Sequence, residues 1–213
     1  MGWLDDRRSQ NEARYDRMAR YYTPLIRGGS FGGISTLYEA LAERLEVPSD
    51  ATVVELGCGP ATVTPHLLAR LGRAGRYVGV DLSKEMIAKA KARAGDFGWT
   101  NVDFVQSAVL DYEARAPADA VVFSLALSAM PEPERCAERA LSTLAPGGQL
   151  LILDSFYTGR RLADLVIRAK SPAVGAIPEE FPLAFLEREL SDLQVEPLWG
   201  GVYSLLVGRR PAH

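Results

Sequence analysis

Residues 52–61 read Thr-Val-Val-Glu-Leu-Gly-Cys-Gly-Pro-Ala, and this stretch decides the fold. It starts as an apolar, β-branched run with strand character. It then passes through Gly57 and Gly59 and enters a helical pattern over 63–71. A strand that runs into paired glycines and then a helix is a ligand-binding turn at the carboxyl edge of a parallel sheet. Glycine is needed there because it tolerates positive φ and lets the backbone approach a ligand.

Working outward, four more runs have strand character: 76–80 (RYVGV), 102–105 (VDFV), 120–125 (AVVFSL) and 149–153 (QLLIL). Most are short and nearly continuous in hydrophobicity, as in strands buried on both faces. Helical patterns at 83–94 and 132–144 separate the later ones. Ser83 is a good N-cap, with Met86, Ile87 and Ala90 on one face behind it. Pro146-Gly147-Gly148 stops the third helix before the fifth strand. Alternating strands and helices predict an α/β, doubly wound, mostly parallel sheet of Rossmann-like type. Runs at 193–197 and 202–209, joined through Trp199-Gly200-Gly201, add an antiparallel pair, for seven strands with a reversed last one. The 213 residues then divide as one domain: a helical cover over 1–46, a core over 51–154, a helical insertion over 155–191 and a terminal hairpin over 192–210.

Composition narrows the function. A net charge of −3 argues against a nucleic-acid coat, and a 47% apolar, 24% charged chain is globular rather than disordered. Two cysteines, Cys58 and Cys136, are too few for a disulfide framework, and no spacing suggests a metal site. The N-terminus lacks the apolar core of a signal peptide, and no run of residues is long enough to span a membrane. A cytoplasmic protein is expected.

The glycine loop can be read further. A dinucleotide loop would place a third glycine three residues after Gly59, where Thr62 stands. Glu55, just before the glycines, would repel a pyrophosphate and suits a cationic ligand. These two residues speak against a nicotinamide-dependent dehydrogenase. Asp81 ends the second strand, where a carboxylate can take two ribose hydroxyls; its other reading is a cap before Ser83.

The motifs VVELGCG (53–59), VGVDLS (78–83) and APGGQLLI (145–152), in this order and spacing, resemble the class I S-adenosylmethionine-dependent methyltransferases over about 51–153. The resemblance implies that Glu55, Gly57 and Gly59 form the methionine end of the cofactor site. It implies that Asp81 holds the ribose and that Leu82 and Met86 pack on the adenine. The family's usual third small position is Ala61 here. Where the family often has an acid near the adenine amine, this chain reads Gln106-Ser107-Ala108, so Ser107, Ala108 or backbone must serve.

Methyl transfer from a sulfonium is an in-line displacement, so the protein mainly positions the acceptor and strips its water. His66 reads as a packed or surface residue. Leu4, Tyr15, Met18, Tyr21 and Tyr22 share one helical face, bordered by Arg7, Arg8 and Arg14. That face fits either a membrane-surface helix or one packed over the sheet. Residues 15–22 (YDRMARYY) resemble the opening of quinone-biosynthesis methyltransferases and bacterial phospholipid N-methyltransferases. The run Pro131-Glu132-Pro133-Glu134-Arg135 and the short length look most like the phospholipid branch. That branch implies methyl transfer to phosphatidylethanolamine or its methylated forms, toward phosphatidylcholine, with S-adenosylmethionine as donor and S-adenosylhomocysteine as product.

On this reading Tyr22, Tyr15 and Ser124 are the candidate catalytic residues. Tyr21 and Tyr157 would line an ammonium site, and Arg160 and Arg161 would meet a lipid phosphate. The expected partner is an anionic membrane surface on the inner face, with no nucleic acid, for a monomeric enzyme. Within the same class, the alternative is a C- or O-methyltransferase of a quinone precursor or another small molecule. A non-catalytic membrane module would leave Glu55, the glycines and Asp81 without a role.

Overall fold

Seven strands join one sheet in the order β3-β2-β1-β4-β5-β7-β6. They are β1 (Thr52–Leu56), β2 (Arg76–Asp81), β3 (Val102–Gln106), β4 (Ala118–Ser124), β5 (Leu144–Asp154), β6 (Ser191–Leu198) and β7 (Tyr203–Arg209). The computed structural model describes residues 33–212. The face carrying Tyr15, Tyr21 and Tyr22 lies outside the described residues. The first five strands are mutually parallel, and β7 runs antiparallel to both β5 and β6. This is the doubly wound sheet with a reversed last strand that the sequence predicts.

The helices are α1 (Ile34–Glu43), α2 (Thr64–Leu68), α3 (Lys84–Phe97), α4 (Pro133–Thr143), α5 (Arg161–Val174) and α6 (Leu183–Glu189). The two-residue period of β1 divides its side chains between two cores. Val53 faces Leu37 and Leu41 of α1 and Leu67 of α2, with Tyr77, Val122 and Leu151. Val54 and Leu56 face Cys136, Ala137 and Ala140 of α4, with Val121, Phe123 and Ile152. Ser83 caps α3 as expected: its Oγ accepts from the Met86 amide at 3.2 Å, and Gly98 ends the helix in the left-handed conformation.

Two elements differ from the sequence reading. β3 is half exposed, because it is an edge strand whose link to β4 carries only a short 3₁₀ turn, Val109–Asp111. β5 starts at Leu144 rather than after the glycines. The Gly147 amide donates to the Arg210 carbonyl and the Arg210 amide to Gly148, both at 2.9 Å, so pairing with the end of the chain draws the glycines into the strand. The pairing with β4 shifts register here, between Ala118 and Ala120. β1, β2, β4 and β5 all end at one edge, in Leu56, Asp81, Ser124 and Asp154, and the site is built there.

Candidate active site

The loop after β1 is a run of left-handed positions: Gly57 at φ +78°, Gly59 at +51° and Ala61 at +58°. Gly57 and Cys58 both donate their amides to the Val80 carbonyl, at 2.8 and 3.0 Å, which ties the loop to the end of β2. Asp81 completes the tie. Its carboxylate accepts the Gly59 amide at 2.8 Å on Oδ2 and the Ser83 amide at 2.9 Å on Oδ1. The one side chain therefore braces both the glycine loop and the start of α3.

In front of the loop lies an open cavity of about 870 Å³, a figure that includes the solvent-filled mouth. Gly57, Gly59, Asp81, Leu82, Met86 and Ala108 line it, so six of the eight residues expected for the cofactor come together. A Cβ on Gly59 would meet nothing within 4 Å, whereas one on Gly57 would lie 2.7 Å from Ala126 Cβ and 3.0 Å from Met130 Cε. Gly59 thus presents bare backbone to open space, and Gly57 is pressed against the opposite wall. The Asp81 carboxylate, the apolar Leu82 and Met86 and an open backbone cradle share one cavity, and this donor set fits an adenosyl group.

Glu55 and Ser107 do not line the cavity. The strand period turns Glu55 onto the α1 face, where it is 1% exposed and accepts a hydrogen bond from the Tyr77 hydroxyl; Thr64 in turn donates to that hydroxyl at 3.1 Å. Burial pushes its pKa up to about 8, against the opposing Tyr77 bond and helped by nearby Asp81. Glu55 is therefore tied to β2 through Tyr77 and faces away from the cavity. Ser107 donates its hydroxyl to the Ala108 carbonyl at 3.0 Å and faces a separate groove beside β3.

The acceptor candidates are also placed elsewhere. Ser124 is buried at the end of β4, and Leu125 after it takes φ +55° and carries the chain to the cavity wall. Tyr157 donates to Glu179 Oε1 at 3.1 Å, which holds its ring off the cavity lining. Arg160 and Arg161 are exposed at the start of α5, with the Arg160 stem against Gly201. His66 packs its ring at 6.0 Å from that of Tyr38.

The wall that sequence reading missed is the segment after β4: Leu125, Ala126, Ala129, Met130, Pro131 and Glu132. Its signal was available, since it follows a strand that ends at the same edge as the glycine loop.

A family model described as a methyltransferase domain matches residues 48–180. Trans-aconitate 2-methyltransferase of Variovorax paradoxus is 36% identical over 114 residues, which are 54% of this chain and 42% of that protein. The 2-phytyl-1,4-naphtoquinone methyltransferase of Thermosynechococcus vestitus is 28% identical over 144 residues, 67% of this chain and 63% of that one. The aligned stretches thus span less than two thirds of either relative's length. Among solved structures, the N-methyltransferase NodS of Bradyrhizobium japonicum, in complex with S-adenosylhomocysteine, superposes with a TM-score of 0.70 at 16% identity, covering 94% of this chain and 98% of that one. With the family model covering more than half of the chain and the glycine loop, Asp81 and apolar slot facing one cavity, this protein belongs to the class I S-adenosylmethionine-dependent methyltransferases.

Proposed function

We propose that the chain transfers the methyl group of S-adenosylmethionine to a carbon or oxygen atom of a small organic acceptor. The bound donor supplies a methyl on a sulfonium leaving group. The chain's own residues do the rest. Gly57 and Gly59 admit the donor against bare backbone, Asp81 accepts from ribose hydroxyls, and Leu82 and Met86 hold the base. The segment 125–132 closes the opposite side and sheds water from the line of transfer.

The observation that carries the choice of acceptor is the chemistry of that wall. Leu125, Ala126, Ala129, Met130 and Pro131 are apolar, the Glu132 carboxylate at the end of the segment is paired with Arg135, and among the described residues lining the cavity there is no aromatic ring. An acceptor ammonium that sheds its water is stabilised by aromatic faces, and these residues offer none. A flat or aliphatic carbon skeleton suits them. The named activities of the two relatives, on trans-aconitate and on a naphthoquinone, support the same reading. The phospholipid reading takes its branch from the Pro131–Arg135 run and the short length, and its aromatic ammonium site largely from residues 15–22, which lie outside the described residues.

The test offers isotope-labelled S-adenosylmethionine with trans-aconitate, with a naphthoquinol lacking its ring methyl, and with phosphatidylethanolamine vesicles. Mass spectrometry then locates the label. Label on the acid or the quinol supports the proposal. Label on phosphatidylethanolamine alone overturns it.

A further inference from the structure

Asp154, at the end of β5, is a charged side chain that the methyl-transfer reading does not use, and it is 2% exposed. Three short bonds converge on it. The Ser128 amide donates to Oδ2 at 2.9 Å, the Ser128 hydroxyl donates to Oδ1 at 2.6 Å, and the Ser155 amide donates to Oδ1 at 2.7 Å. Behind it, Lys170 of α5 donates to the Ser155 hydroxyl at 2.7 Å, and that hydroxyl donates on to the Val202 carbonyl at 2.8 Å. The Lys170 ammonium also lies 3.7 Å from the centroid of the Tyr203 ring. A chain of contacts thus runs from α5 through β5 to the turn Leu127–Ala129.

That turn is part of the donor cavity. Ala126 just before it and Ala129 at its end line the space, and Ala126 is the residue that a Cβ on Gly57 would strike. The gap between the glycine loop and the wall is therefore set to within a methyl group. Ser128 is gripped at both ends, since its carbonyl also accepts the Ile177 amide at 2.8 Å. We propose that Asp154, with Lys170 acting on it through Ser155, is a positioning residue that sets the distance between this wall and the glycine loop, and hence donor affinity. Burial bears on both charges. It pushes the Asp154 carboxyl up and the Lys170 ammonium down to about 8, and the mutual attraction opposes both shifts. A buried carboxylate held by several donors, with a cation nearby, keeps a fixed geometry that a lone hydroxyl contact would not.

The proposal rests on S-adenosylmethionine as donor, and its test needs no acceptor. Asp154→Asn is the direct variant, but a buried acid can fail to fold when changed, so Ser128→Ala and Lys170→Met carry the test. S-adenosylhomocysteine is titrated by calorimetry, and the unfolding of the ligand-free protein is measured beside it. Ser128→Ala and Lys170→Met should each weaken binding by about fivefold or more, the worth of one hydrogen bond. Lys170→Arg should restore most of the loss, because it keeps the charge and the donors. Ser128 and Lys170 act through the same carboxylate, so the double variant should lose less than the product of the single losses.

Single variants that unfold more easily but bind within twofold of the parent would leave Asp154 a purely structural group and overturn the proposal. So would losses that multiply in the double variant. A parent that fails to bind S-adenosylhomocysteine would remove the donor reading and the positioning role together, whereas a binding parent with insensitive variants removes only the second.

Discussion

At the residue scale the two loop glycines make opposite demands, although the sequence presents them as an equivalent pair. Both occupy left-handed backbone, where a Cβ costs roughly 1–2 kcal/mol. They differ in what surrounds them. Gly59→Ala places a methyl in open space at the mouth of the cavity. The fold should survive with about 1 kcal/mol of strain, while S-adenosylhomocysteine affinity falls at least tenfold, because the methyl occupies the donor's approach to the backbone. Gly57→Ala drives a methyl into Ala126 and should lower both the melting temperature and the affinity. Calorimetric titration alongside thermal unfolding separates the two. Equal loss of stability in both variants would contradict this account. Asp81→Asn keeps the shape but weakens acceptance from the Gly59 and Ser83 amides as well as from ribose, and affinity should fall by about tenfold or more, the scale of one charge-assisted bond. Glu55 marks where residue-level reading ran out. Its identity suggested a ligand contact, but the strand period fixes which way it points, and Tyr77, 22 positions further along the chain, supplies its partner.

At the element scale, what was legible was whatever depended on local chemistry. The Ser83 cap and the alternation of strand and helix follow from side chains within a few residues of one another, whereas the Gly98 stop lies four residues beyond the end of the helical pattern read at 83–94. Ser83→Ala should cost about 1 kcal/mol, the usual worth of an N-cap. Because Met86, the residue it caps, lines the cavity, the same change should also weaken S-adenosylhomocysteine binding. A variant that loses stability but binds like the parent would show that the first turn of α3 keeps its place without the cap. What was not legible depended on partners far along the chain. The Pro146-Gly147-Gly148 run reads as a stop, yet pairing with Arg210 makes it strand. The exposure of β3 follows from its place at the sheet edge, which no property of residues 102–106 announces. The apolar wall after β4 stands between the two: its place after a strand that ends at the glycine-loop edge was legible, but nothing in its run of Ala, Leu, Ser and Met says how closely the crossing from β4 to α4 presses it against Gly57.

At the scale of the whole molecule, buried ionisable groups should shape stability against pH, and two of them act in opposite senses. The folded state holds Glu55 at a pKa of about 8, above its ordinary 4.5, so between these values the folded protein binds more protons than the unfolded chain. Stability from this group is full below about 4.5 and is lost as pH rises through 8. Asp154, also raised by burial, works in the same direction over its own range above 3.8. Lys170 is the reverse: its folded pKa is lowered from 10.5 to about 8, so between 8 and 10.5 it is the unfolded chain that binds more protons, and stability rises with pH there. The ligand-free protein should therefore lose stability from pH 5 toward 8 and recover part of it above 8, up to the range where the buried phenols of Tyr38 and Tyr77 oppose further gain. Denaturant unfolding at a series of pH values measures this curve. Glu55→Gln should flatten the limb below pH 8 and leave the upper limb, while Lys170→Met should do the converse. A parent whose stability climbs steadily from pH 5 to 8 would mean that Glu55 is ionised in the folded state, and that the Tyr77 hydroxyl stabilises its charge more than burial penalises it.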